Sequence, residues 1–305
     1  MALLQTIKIQ TKQVLNIFNT KEVAEHFLDS HYIPFDILQG ISGEILEIIE
    51  SITQKTTHYR ILETGMGTGR FSYPFAIELA KKFPDSKLYG LDSSRAMLSE
   101  AEKYLPPDLS IKYEHVSLNK PLSYPPNFFD ASISFYVYHC MKNWKQALNN
   151  VIRAIRKPTI LFFIKERSQW GFHLDNRFDG IEMFDETYYR FWKEYFKNRE
   201  IITPLPKVDI SASNLDILGT YLEKKGFQHI TKISAFKWKR KIDYREDLQS
   251  INLGLFTKLR IGLSAQDRAF LRKQMENWLT KEHIDYTKRI WEIPATIEIE
   301  VFYTG

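Results

Sequence analysis

The sequence predicts an α/β fold: a seven-stranded, mostly parallel sheet with an antiparallel last strand. Three observations carry that expectation. Residues 59–167 alternate short apolar strands with amphipathic helices, the pattern of a parallel sheet covered on both faces. A glycine-rich turn within ILETGMGTGR, residues 61–70, joins the first strand to a helix. The chain closes with ATIEIEVFYTG, an alternating strand with no parallel crossover before it, which should therefore pair antiparallel.

The first 45 residues read as one or two helices with their clearest start at NTKEVAEHF, lying over a crevice mouth or on the sheet. Strands are expected at 60–63, 87–91, 110–116, 129–136 and 159–165, each short and nearly all apolar where it should be buried, with later strands at 227–238 and 295–303. Between them, Phe75, Leu79 and Phe83 form one helical stripe that stops at Pro84. Met97, Ala101, Tyr104 and Leu105 form a second, ended by Pro106 and Pro107, and Trp144, Leu148, Val151 and Ile155 a third. A fourth helix over 213–225 has Ser213 and Asp216 as a capping box, Leu215, Leu218 and Leu222 as its stripe, and Gly226 as its stop.

Two segments interrupt this rhythm. One, 168–210, is crowded with rings and charges; the other, 241–291, contains a helix opened by Ser264 and Asp267 with Leu271, Met275, Trp278 and Leu279 on one face. The chain therefore reads as one domain over 1–305, with an N-terminal helical cap at 1–45 and these two insertions as helical lids.

Composition narrows the class. Of 305 residues, 44% are hydrophobic and 26% charged, as in an ordinary globular protein. The one cysteine, Cys140, excludes an internal disulfide and fits a reducing cytoplasmic compartment. The longest apolar block, Ile160 to Ile164, is far too short to span a membrane. Net charge is +5, and the basic block FKWKRK at 236–241 runs into Asp243, Glu246 and Asp247, so it reads as a solvated strand end. The eight histidines show no metal-ligand spacing.

The glycine turn carries the chemistry. Gly65, Gly67 and Gly69 let the backbone bend sharply and approach a ligand, and the following helix offers free N–H groups. Their GxGxG spacing differs from the dinucleotide GxGxxG, and no Gly-Lys-Ser/Thr follows to make a P-loop. Asp92, at the end of LYGLD, stands where a ribose diol would be bound; alternatively Asp92, Ser93 or Ser94 caps the next helix. Together these features imply an adenosine-containing cofactor.

At ILETGMGTG, LYGLDSSRAML and FDASISFYVYHCMKNWKQALNNVIRAIRKP the chain resembles class I S-adenosylmethionine-dependent methyltransferases, in particular the group that includes ubiquinone/menaquinone-biosynthesis and trans-aconitate methyltransferase-like enzymes. The resemblance implies a Rossmann-like fold and S-adenosyl-L-methionine as cofactor. It places Glu63 near the methionine amino group, Gly65 and Gly67 along the methionine portion with Gly69 completing the turn, Asp92 on the ribose, and Ser93 and Met97 beside adenine. The family commonly has an Asp after the third strand. Here EHVSLNKPL leaves Ser117 or Asn119 for the adenine amino group, and Phe135 falls where the family touches methionine.

For the reaction itself, His139 at the carboxyl edge of the fourth strand is the candidate base, against a purely structural helix-entry histidine. Glu166 and His173 are weaker alternatives. Tyr136, Trp170, His173, Tyr189 and Trp192 are candidates for the acceptor pocket, although most rings of the aromatic insertion serve equally well to dock it on the core. The expected activity is methyl transfer to a small molecule, with oxygen preferred over nitrogen or carbon. An RNA methyltransferase and a non-catalytic cofactor-binding protein are the alternatives. No Asn/Asp-Pro-Pro-Tyr/Phe motif or lysine stripe supports RNA, no membrane partner is implied, and oligomeric state is not legible.

Overall fold

The computed structural model describes residues 18–30, 32–55, 57–138, 141, 143–168, 215–243, 245, 248, 265–281 and 290–305. In chain order the elements are α1 (Lys21–Ser30), α2 (Phe35–Thr53), β1 (Arg60–Thr64), α3 (Ser72–Lys82), β2 (Lys87–Asp92), α4 (Arg95–Tyr104), β3 (Ile111–His115), β4 (Phe129–Phe135), α5 (Trp144–Ala154), β5 (Ile155–Ser168), α6 (Leu215–Glu223), β6 (Gln228–Asp243), α7 (Ala265–Lys281) and β7 (Ile290–Tyr303).

The seven strands form one sheet in the order β3-β2-β1-β4-β5-β7-β6. Strands β1 to β5 pair in parallel, whereas β7 is antiparallel to both β5 and β6, so the expected Rossmann-like sheet with an antiparallel last strand is what the chain forms. The order steps outward from β1 through β2 to β3 and then reverses through β4. That reversal opens a crevice at the carboxyl ends of β1 and β4, where open α/β sheets bind ligands.

A hydrophobic core lies on each face. On one, Ile37, Leu38, Ile41, Ile45 and Ile49 of α2 and Phe75 and Leu79 of α3 pack on Ile61, Ile133, Phe162 and Ile299. On the other, Trp144, Leu148 and Val151 of α5 and Leu218 and Leu222 of α6 pack on Leu62, Leu161, Phe163 and Phe302. The expected stripes of α3 and α5 are thus buried, as are Leu218 and Leu222 of α6. Gly226 ends α6 with φ +84, a left-handed conformation that costs glycine little.

The sequence left open whether the N-terminal helices lie over a crevice mouth or on the sheet. The isoleucine and leucine stripe of α2 lies on the sheet. By contrast α1 packs on α4, where Val23 and Ala24 bury Met97 in a small separate cluster. The later strands outrun their apolar cores: β6 continues to Asp243, paired with Ile290 of β7. Helix α7 falls between them, with Met275 and Leu279 buried.

Candidate functional site

The site begins where β1 delivers its chain into the glycine loop. Gly65, Gly67 and Gly69 have φ of +65, +58 and +78, the region that only glycine enters without cost. The loop is fastened to the end of β2, since the Gly65 N–H donates to the Leu91 carbonyl at 2.7 Å and the Met66 N–H to the same oxygen at 3.1 Å. A side chain at Gly65 would meet Val137 at 2.6 Å. Among the described residues, a side chain at Gly67 would meet the Phe27 ring at 4.0 Å.

Asp92 ends β2 beneath this loop. Its Oδ2 accepts from the Gly67 N–H at 2.8 Å and its Oδ1 from the Ser94 N–H at 2.7 Å. Burial pushes its carboxyl above the usual range, while these backbone N–H groups and His115 pull the other way. An ionised carboxylate has about four lone-pair sites, so two bonds leave capacity for a diol. The helix cap is a different residue: Ser94 Oγ accepts from the Met97 N–H at 3.1 Å and opens α4. Asp92 is therefore not the cap of α4.

Glu63 sits below the loop, 2% exposed, with its Oε2 accepting from the Ser72 hydroxyl at 2.6 Å. Burial pushes its carboxyl up to about 8; the Ser72 bond and Arg70 oppose that shift and Asp92 adds to it. A neutral buried acid here can take up charge when a cation approaches.

At the end of β4, Phe135 stacks on Phe71 at 5.8 Å, with the Arg70 guanidinium 5.2 Å above its ring. Tyr136 follows with φ +57. Its ring meets Phe135 edge-on at 5.4 Å and its hydroxyl donates to the Glu166 carbonyl of β5 at 2.9 Å. The phenol therefore bridges the carboxyl ends of β4 and β5 while remaining 45% exposed. Two residues further on, Tyr138 is buried, and burial pushes its hydroxyl up to about 12, countered by Ser134 and Thr64.

The structure thus brings Glu63, Gly65, Gly67, Gly69, Asp92, Phe135 and Tyr136 to one edge of the sheet. Ser93 is exposed beside Asp92, its carbonyl 3.0 Å from His115 Nε2. Ser117 lies just beyond β3, one residue past Val116, whose N–H donates to the Asp92 carbonyl at 2.8 Å. Met97 reaches the same region but is buried under α1. His139, Trp170, His173, Tyr189 and Trp192 lie outside the described residues. Sequence reading passed over Arg70, Phe71 and Ser72, whose signal was their place directly after Gly69.

A sheet reversed at β1 and β4, a GxGxG loop and an acid closing β2 are the features by which the chain resembles class I S-adenosylmethionine-dependent methyltransferases. Residues 61–158 of this chain match the family model described as a methyltransferase domain, and that match covers the loop, Asp92 and β4 together. Two curated relatives, from Dictyostelium discoideum, are named probable polyketide synthase 32 and 38. They are each 24% identical, over 213 and 203 residues, or 61% and 57% of this chain. The chain spans only 7% and 6% of their lengths.

Among solved structures, the plantazolicin methyltransferase BpumL in complex with SAH is 12% identical with a TM-score of 0.49, over 97% of this chain and 95% of that one. A Haemonchus contortus phosphoethanolamine N-methyltransferase 2 in complex with S-adenosyl-L-methionine is 16% identical with a TM-score of 0.43, over 86% of this chain and 52% of that one. This chain thus spans about half of the latter's length.

Proposed function

We propose that this methyltransferase acts on a small molecule, with a carboxyl or hydroxyl oxygen preferred over nitrogen or carbon as the acceptor atom. The observation that carries this reading is Tyr136. A half-exposed ring, pinned at its hydroxyl to β5 and at its edge to Phe135, makes a fixed wall at the carboxyl edge beside the glycine loop. A rigid aromatic wall suits a compact acceptor. The basic block of β6 lies two strands away from β5, across β7.

S-Adenosylmethionine supplies a sulfonium-bound methyl whose positive charge disappears on transfer. The protein's task is to align the acceptor and exclude water. In this reading Asp92 and the glycine loop hold the nucleoside and Glu63 balances the charge of the amino group. Phe135 and Tyr136 shape the space next to the methyl, and Trp170, His173, Tyr189 and Trp192 contribute to the acceptor pocket. His139 serves as base where the acceptor is still protonated.

The match to probable polyketide synthases favours a second reading, in which the small acceptor is a polyketide chain. The test is incubation with S-adenosylmethionine labelled in its methyl group, offered separately to the small-molecule and RNA fractions of a cell extract. Label in the small-molecule fraction, released as methanol by mild alkali, is expected for a carboxyl oxygen. Label confined to RNA would overturn the proposal, and label on carbon in a polyketide chain would select the second reading.

A further inference from the structure

We infer that α1 completes the cofactor site and that Phe27 is a cofactor-contacting residue. The observation is steric. Gly67 lies in the centre of the loop, its N–H is held by Asp92, and among the described residues the group that a side chain there would meet is the Phe27 ring, at 4.0 Å. A nucleoside bound to Asp92 over this loop meets that ring.

The way α1 is held supports the same placement. The Ser94 hydroxyl that caps α4 also donates to the Phe18 carbonyl at 2.7 Å, and Asn19 Oδ1 accepts from the Ala96 N–H at 3.3 Å. The chain entering α1 is therefore tied two residues from Asp92. Val23 and Ala24 then close over Met97, while Phe18 and Phe27 meet at 6.3 Å beside them.

Among the described residues these contacts form a cluster apart from the two cores of the sheet. A helix docked through such a satellite cluster can open separately from the core. A ligand that touches both the loop and Phe27 must then favour the docked helix by whatever affinity that contact adds. The inference rests on the cofactor reading and adds a residue from outside residues 61–158, the segment that matches the family model.

The experiment measures S-adenosylhomocysteine affinity by calorimetry for wild type and Phe27→Ala, and the rate of tryptic cleavage after Lys21 with and without that ligand. Because Phe27 is outside both main cores, the variant should melt close to wild type without ligand. About tenfold weaker binding by Phe27→Ala, the scale of one lost aromatic contact, is expected, as is ligand protection of Lys21 in wild type. Unchanged affinity in the variant, or cleavage indifferent to the ligand, overturns the inference. Failure of wild type itself to bind would instead overturn the cofactor reading on which it rests.

Discussion

At the scale of single residues, Glu63 and Tyr136 carry costs that a purely structural site would not need. Glu63 in the folded protein binds its proton up to about pH 8, against 4.5 for an ordinary glutamate. Between those values the folded state holds a proton that the unfolded chain has released. Stability from Glu63 is thus fully present below about pH 4.5 and is lost as pH rises through about 8. Glu63→Gln, which keeps the neutral shape, should melt with wild type near pH 5 and above it near pH 9. Parallel melting at both pH values would show that Glu63 is not held neutral. Tyr136 pays differently, through a left-handed backbone that costs a non-glycine residue about 1–2 kcal/mol. Tyr136→Gly should therefore be more stable than Tyr136→Ala by roughly 1 kcal/mol, measured by denaturant melts. Both should lose methyl transfer if the ring is the acceptor wall.

Between elements, the decisive contact joins the loop after β1 to the chain leaving β4. Gly65 has φ +65, and a methyl there would stand 2.6 Å from a Val137 methyl. Gly65→Ala should cost about 1–3 kcal/mol from conformation alone, plus the steric part. Adding Val137→Ala should return only the steric part, and a double-mutant cycle with no coupling would show that the two segments do not press together. The elements themselves were largely legible in the sequence. The strands of the parallel half show as apolar runs because both faces are covered, and the stripes of α3, α5 and α6 follow the helical period. The far ends of β6 and β7 were not legible, because KRKID and IWEI extend a ladder held by backbone hydrogen bonds rather than an apolar run. Nor was the burial of Glu298 and Glu300 in the alternating IEIEV. Both lie inside because Lys165 pairs with them and His229 and Thr231 bond Glu300. Burial opposes the ionisation of Glu300, yet its bonds to Glu298, Thr231 and His229, with the charge of Lys165, hold it below the usual range.

At the scale of the whole molecule, the site is a seam between parts that are distant in sequence. Gly67 is tied to Asp92 across 25 positions, and Ser94 to Phe18 across 76. The loop and its acid were legible because their residue types are chemically restricted; the join to the N-terminus was not, since Phe18 and Phe27 look like any apolar residues of a helical segment. A ligand spanning this seam should stabilise the entire fold by mass action, by about 2.7 kcal/mol at a hundredfold excess over its dissociation constant. S-Adenosylhomocysteine should accordingly raise the melting temperature of wild type by several degrees. The informative comparison is Asp92→Ala. Removing that carboxylate also strips the Gly67 and Ser94 N–H groups of their acceptor, so the unliganded variant should melt lower whatever Asp92 binds. The ligand-induced shift reports what the carboxylate does for the ligand, directly or through the glycine loop it braces. A shift that collapses in Asp92→Ala is what a ligand site at Asp92 requires. A shift equal to that of wild type would reduce Asp92 to a brace between the glycine loop and α4.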